Sequence, residues 1–379
     1  MNASWRSRQL DLFRGMAAIF MIVNHAGYKL LGSESGQGAA GMLVFLMSTA
    51  PALFFLATGA GTRMTSPSGR VRGLIDKVVL LFVADALMNL GEGRWFGLDF
   101  FGFAAIATAA MFAVHRTRRS TAVAAILLAV VLLLRFALAP LMHGVSNPAL
   151  IFVTGNGGLP NVSYPLAPWL AFPLLGYLVA PVGAWSRRQE ATAAGVLAVI
   201  ALAATAGLVA HGAILHRWGS MSIAYFCFAI GVVASAWLLA GVLADVRKEA
   251  LDGLMLRGIA SLLIVPLHYA FLAAIAAGVA SAWSQSAWYA VLVVLVPVVL
   301  IASRRLAQAI DARGRHLPAW FTVALLAVVA ACAVGAEVGG YRLPCLLICC
   351  LGEVVVAVLL ARPRRRTQDA HRGLEHRSA

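Results

Sequence analysis

The chain has 379 residues, 61% of them hydrophobic and 12% charged, and a mean hydropathy of +0.86. Soluble domains carry about 25% charged residues, so an ordinary cytosolic enzyme is excluded and a polytopic membrane protein is expected. Thirty Lys and Arg against 15 Asp and Glu leave a formal charge of +15, and on so apolar a chain the cations report topology first.

A spanning helix needs about 20 mostly apolar residues. Twelve stretches qualify: 10–31, 39–63, 74–91, 98–114, 121–139, 166–184, 192–211, 222–243, 256–277, 287–303, 319–336 and 341–361. They predict an all-α polytopic bundle of 10–12 membrane helices. Residues 1–361 read as one transmembrane domain, and 362–379 as a basic, disordered cytoplasmic tail. Alternating the loops from a cytoplasmic N-terminus puts all the cations inside except six. Arg94, Arg217 and Arg342 fall outside, and Arg14, Lys29 and Arg135 fall within spans. That asymmetry places both termini in the cytoplasm. It also explains the charge without nucleic acid, since no basic patch is interleaved with aromatics.

The first stretch carries the most chemistry. Arg14 and His25 are eleven residues apart, which is three turns plus about 20°, so they share a helix face about 16 Å apart along the axis. Asp11 lies i,i+3 from Arg14 and close to the same stripe. Ionisable groups inside spans are costly and normally face a protein interior or a watered cavity. A cation near the cytoplasm with an imidazole deeper in suits a long ligand with an anionic head, such as a pantetheine-bearing donor. The alternative is an interfacial Asp11–Arg14 anchor, with His25 bonded to a neighbouring helix.

Along the rest of the chain, Arg63, Arg70 and Arg72 form the second basic loop. They suit phosphate binding and equally satisfy the topology rule. Asp76, Asp85 and Asp99 mark the third and fourth stretches; Glu92, Arg94 and Asp99 at their outer end suit hydrogen bonds to sugar hydroxyls, but a solvated outer loop is the expectation. Arg135 is expected to snorkel toward the outer face. The long segment 140–165, rich in Gly, Pro and Asn, suits a lid over an acceptor. His268 and Tyr269 lie within the ninth stretch, where a lone histidine either hydrogen-bonds structurally or joins a site. The five cysteines all sit in apolar segments without zinc-site spacing, so no metal is expected. No Walker loop appears.

Arg14-x10-His25, preceded by Leu10-Asp11 and followed by Gly15 after the arginine, resembles the first helix of the transmembrane acyltransferases. That superfamily includes the membrane-bound acyltransferase 3 family and relatives of heparan-α-glucosaminide N-acetyltransferase. PALFFLATGAG at 51–61 resembles its Phe-rich second helix. SYPLAPWLAFPLLGYL at 163–178 is similar to the Pro-Trp…Leu-Leu-Gly helix of the N-acetyltransferase-like branch, and GIASLLIVPLHY at 258–269 to a late Gly-x-x-Ser-Leu…His helix. The heparan-type branch carries its active histidine in the loop after the first helix. Residues 32–38 have none, although NHAGYK at 24–29 resembles that branch, so features of both are mixed.

The resemblance implies an integral membrane acyltransferase. It would move an acyl group, acetyl above all, from cytoplasmic acyl-CoA to a hydroxyl or amine of a sugar or envelope glycan. It gives His25 the catalytic role and Arg14 the donor; Asp11 and the loop arginines Arg63, Arg70 and Arg72 are the further donor-site candidates. Asn24, His268 and Tyr269 are the supporting candidates for the reacting centre. The cofactor requirement is acetyl-CoA or another acyl-CoA, consumed as donor substrate. The arginine-rich, Ala- and Val-rich composition suggests a bacterial inner membrane. The rival class is a secondary transporter or flippase, for which internal repeats are common; the second half contains no copy of the Arg14–His25 pattern.

Overall fold

A computed structural model describes residues 4–32, 37–64, 71–142, 147–155, 159, 161–180, 186–215, 221–244, 246, 251–278, 283–313 and 318–361. In lipid every backbone polar group must be satisfied within the protein, and the Ala-, Leu- and Val-rich stretches meet that demand as helices. α1 (Ser4–Ala26) continues into a π-helical turn at Gly27–Leu31. α2 (Gly38–Met47) and α3 (Ala50–Arg63) make one span broken at Ser48 and Thr49. α4 (Val71–Gly91) and α5 (Phe100–His115) are joined by an outer loop. α6 (Ser120–Leu133) ends in a second π turn, Leu134–Leu138, and α7 (Pro148–Thr154) is short. α8 (Leu166–Trp169) and α9 (Ala171–Val179) follow as a broken pair. The remainder is α10 (Arg187–Ala210), α11 (Ile223–Leu243), α12 (Ala260–Ala277), α13 (Gln285–Arg313), α14 (Ala319–Val338) and α15 (Arg342–Ala361).

Each of the twelve predicted stretches falls on a helix. Among the described residues, eight helical segments are long and apolar enough to cross a membrane: α2–α3 together, α6 and α10 to α15. α5 and α8–α9 are apolar but shorter. α1 and α4 have the length but carry charge, Asp11 and Arg14 on one and Asp76, Lys77 and Asp85 on the other. The protein is therefore all-helical and multi-pass. Its one β feature among the described residues is an isolated bridge between Leu98 and Val162.

α1 is the axis of the bundle, packed by α2, α3, α11, α12 and α13. Phe13, Ala17, Ile22 and Ala26 are fully covered on different sides of it, as expected of a helix enclosed all round. α6, α10 and α14 instead turn much apolar surface outward, including Ile126, Val199 and Val328, which is the face lipid requires. Between α3 and α9 the backbones nearly touch. A Cβ on Gly59 would come within 1.8 Å of the Pro173 carbonyl oxygen, and one on Gly176 within 2.0 Å of that of Leu56. Small residues at such crossings permit the close approach that drives helix association in membranes.

Arg135 does not snorkel. It is buried, and its Nε and an Nη donate to the Met221 carbonyl oxygen at 3.0 and 2.8 Å. The π turn carries the guanidinium inward to a carbonyl just before α11, where two charge-assisted hydrogen bonds offset part of the cost of burying the cation.

Candidate active site

α1 and α12 bring together two histidines that stand 243 residues apart in sequence. Nδ1 of His25 lies 2.6 Å from Nε2 of His268, and Nδ1 of His268 lies 2.7 Å from the Ile264 carbonyl oxygen. A carbonyl only accepts, so Nδ1 of His268 carries the proton. With both rings neutral, Nε2 of His268 must then accept from Nδ1–H of His25. Nε2 of His25 is left as the basic nitrogen. The pair therefore fixes the tautomer of a ring that lines a cavity of about 250 Å³, the arrangement of a base held by an orienting partner. His268 is fully buried.

Tyr269 flanks both rings, its centroid 5.1 Å from that of His25 and 4.6 Å from that of His268. Glu92 lines the same cavity as Tyr269. Asn24 lines the same cavity and donates to the Val44 carbonyl at 2.8 Å. The π turn after α1 adds Lys29, whose ammonium sits 5.8 Å from the Tyr269 ring centroid. Such turns are frequent at functional sites because the extra residue re-aims the side chains that follow it.

The opposite wall comes from the loop between α4 and α5. Arg94 is paired with Glu92 and with Asp99, the latter at 3.2 Å, and the Ser163 hydroxyl donates to Asp99 at 3.1 Å. Burial and the nearby Glu92 hold the Asp99 carboxyl above its ordinary range, against Arg94, Ser163 and the Phe100 N–H. For Arg94, burial would lower the guanidinium, but Glu92 and Asp99 outweigh it and hold it up. The loop is folded inward by two pins. Asp85, buried on α4, accepts from the Asp99 N–H at 3.2 Å, and Leu98 exchanges hydrogen bonds with Asn161 and Ser163. The tip of the loop, Trp95 and Phe96, is exposed as the solvated-loop reading requires, while its charged residues turn inward. Glu92, Arg94 and Asp99 line the cavity that contains His25. Of the segment expected to form a lid, residues 143–146, 156–158 and 160 lie outside the described residues, while Ser163 and Tyr164 line the cavity.

A second, larger chamber of about 1110 Å³ opens at the other end of α1. Arg14 lines it together with Lys77, Asp76, Thr58, Thr62 and Ser261. Asp11 anchors Arg14 at 3.2 Å and also accepts from Nε of Arg257 at 3.0 Å, tying the segment before α12 to α1. Leu256 N–H completes the tie by donating to the Asp11 carbonyl. The other expected donor residues do not meet here. Arg63 donates to the Thr121 hydroxyl at 2.9 Å and lies over the Tyr177 ring, and Arg72 is exposed. Neither lines the chamber, and Arg70 lies outside the described residues. Lys77, read from sequence only as a topology charge, faces it instead. Among the described residues no cluster of three His, Cys, Asp or Glu is arranged to hold a metal ion.

A family model described as heparan-alpha-glucosaminide N-acetyltransferase, catalytic, matches residues 6–207, just over half of the chain. The match takes in Arg14, His25, both carboxylates of the outer loop and Ser163, while α12 with His268 and Tyr269 lies beyond it. No curated protein and no solved structure matches.

Proposed function

The chain belongs to the heparan-alpha-glucosaminide N-acetyltransferase catalytic family, and from that premise we propose that it is a membrane acetyltransferase working across the bilayer. The donor is cytoplasmic acetyl-CoA, with its phosphates at Arg14 and Lys77 in the larger chamber. The acceptor is a hydroxyl or amine of a sugar or envelope glycan in the smaller, outer cavity. In this reading the chain crosses a bacterial inner membrane about twelve times, with both termini in the cytoplasm and 362–379 as a basic tail. The observation that carries it is the His25–His268 pair, which sets a basic nitrogen in a polar cavity on the same helix face as the cationic chamber.

The step balances within the site. Nε2 of His25 takes the proton from the acceptor O–H or N–H as that atom attacks the thioester carbonyl carbon. The new C–O or C–N bond forms and the C–S bond breaks. The imidazolium returns the proton to the departing CoA thiolate, so His25 ends as it began. An imidazole is suited to both transfers near neutral pH. His268 accepts the Nδ1–H bond that strengthens as His25 becomes cationic. Asn24 and Tyr269, which line the same cavity, are assigned as side-chain donors for the carbonyl oxygen as it gains charge. Glu92, Arg94, Asp99 and Ser163 offer the acceptors and donors that a polyhydroxylated sugar requires.

Donor recognition is tested by thermal unfolding of the detergent-solubilised protein with acetyl-CoA. The reading requires a concentration-dependent rise in Tm that Arg14→Ala weakens, since a ligand bound to the folded state stabilises it. No stabilisation by acetyl-CoA, with stabilisation by a sugar or glycolipid alone, would favour the transporter class instead.

A further inference from the structure

The two chambers are stacked along the same helices, and each helix contributes to both in register. α1 supplies Arg14 to the inner and Met21 to the outer, α3 supplies Phe54 and Pro51, and α12 supplies Leu262 and Val265. On α3 and α12 the step from one chamber to the other is three residues, an axial rise of about 4.5 Å. On α5 there is no step, because Phe100 lines both chambers. Its ring meets Phe54 edge-on with centroids 5.4 Å apart and stacks on Phe55 at 5.5 Å. The ring is 7% exposed and lies at the first residue of α5, directly after Asp99. It is therefore held from one side by aromatic contacts and from the other by the N-cap that Asp85 anchors.

We propose that the Phe100 ring is the partition of a single transmembrane channel, closed when the site is empty and displaced by the pantetheine arm of the donor. The inference rests on the donor-inside, acceptor-outside reading. An apolar constriction one side chain thick stops ions and water by dewetting, while a linear ligand entering from the Arg14 end can push the ring aside. Without such a seal, a protein with polar cavities open toward both faces would short-circuit the membrane. With it, the channel opens only when the arm that opens it also fills it.

The test uses the full-length protein in liposomes loaded with a pH-sensitive dye. After a pH step, Phe100→Ala should dissipate the gradient faster than wild type by about tenfold or more, as loss of a hydrophobic gate implies. Acetyl-CoA should slow that leak toward the wild-type rate. Phe100→Leu, which keeps most of the apolar bulk, should remain tight and guards against a folding defect in the alanine variant. Phe100→Trp should bind acetyl-CoA as wild type does yet lose transfer by about a hundredfold, the cost of misplacing a reacting group by an ångström. A folded Phe100→Ala as tight as wild type would overturn the partition, as would a leak indifferent to acetyl-CoA. Failure of the functional reading is separable, because it would show already as wild-type protein that does not bind acetyl-CoA.

Discussion

Truncating His268 to alanine removes the acceptor that holds the His25 Nδ1 proton, so the ring of His25 loses both its orientation and its preferred tautomer. Outer partners of this kind are worth about 10–100-fold in activity. The expected result is a fall of that size in kcat with little change in either KM. His268→Gln, whose amide oxygen can accept the same proton, should recover much of it; equal losses in the two variants would reduce His268 to a packing role. On the opposite wall, Arg94→Ala leaves two half-buried carboxylates without their shared cation and a sugar without its cationic donor. A hydrogen bond to a charged group contributes about 1.5–3 kcal/mol. The acceptor KM should rise by roughly ten- to a hundredfold on that basis, while acetyl-CoA affinity, measured by calorimetry, stays the same. Arg14 and His25 were legible in the sequence because helical periodicity alone puts them on one face. His268 was visible only as a lone histidine, since its partner comes from a helix far away in sequence. The acidic loop left two readings open because its composition is that of a solvated turn. What folds it inward is the Asp85 carboxylate and the Leu98–Val162 bridge, neither of which has a local signature.

The helices themselves were the most legible part, and their discrepancies have local causes. α10 begins at Arg187 rather than 192, because Ser186 and Gln189 form a capping box that draws the two arginines into the first turn. α13 runs on to Arg313, past the apolar stretch that marks its span. The predicted 39–63 stretch breaks at Ser48 and Thr49, where Ser48 meets the Tyr225 hydroxyl at 2.9 Å, a side-chain contact no hydropathy pattern contains. The α3–α9 crossing offers a sharp test at this scale. Gly59→Val forces a side chain into the Pro173 carbonyl, and overpacking of this kind typically costs about 1–3 kcal/mol. Thermal inactivation in detergent should shift downward accordingly. Gly207→Ala, on α10 with nothing within 4 Å of the added carbon, should be neutral or slightly stabilising. A shift of equal size in both variants would refute the close approach as the cause.

For the molecule as a whole, the +15 charge serves orientation far more than recognition. In the proposed topology the basic loops fall on one side and the Arg94 loop on the other, so cysteines placed there should label from opposite faces. Phe96→Cys, at a highly exposed position, should react with a membrane-impermeant maleimide added to intact spheroplasts, and Arg72→Cys only after lysis. The reverse pattern would invert the proposed topology. α1 and α4, which carry Asp11, Arg14, Asp76, Lys77 and Asp85, are the long helices whose composition departs from a lipid-facing span, as the proposed site on them requires.

In the proposed mechanism His25 joins a donor on one side of the membrane to an acceptor on the other. Proteoliposomes of one orientation, with labelled acetyl-CoA at the Arg14 face and a sugar acceptor enclosed at the His25 face, measure that directly. Wild-type protein should acetylate the enclosed acceptor. His25→Ala should bind acetyl-CoA normally and lose transfer by about 10²–10⁴-fold, the usual contribution of a positioned general base. A folded His25→Ala protein that acetylates the enclosed acceptor at the wild-type rate would contradict it.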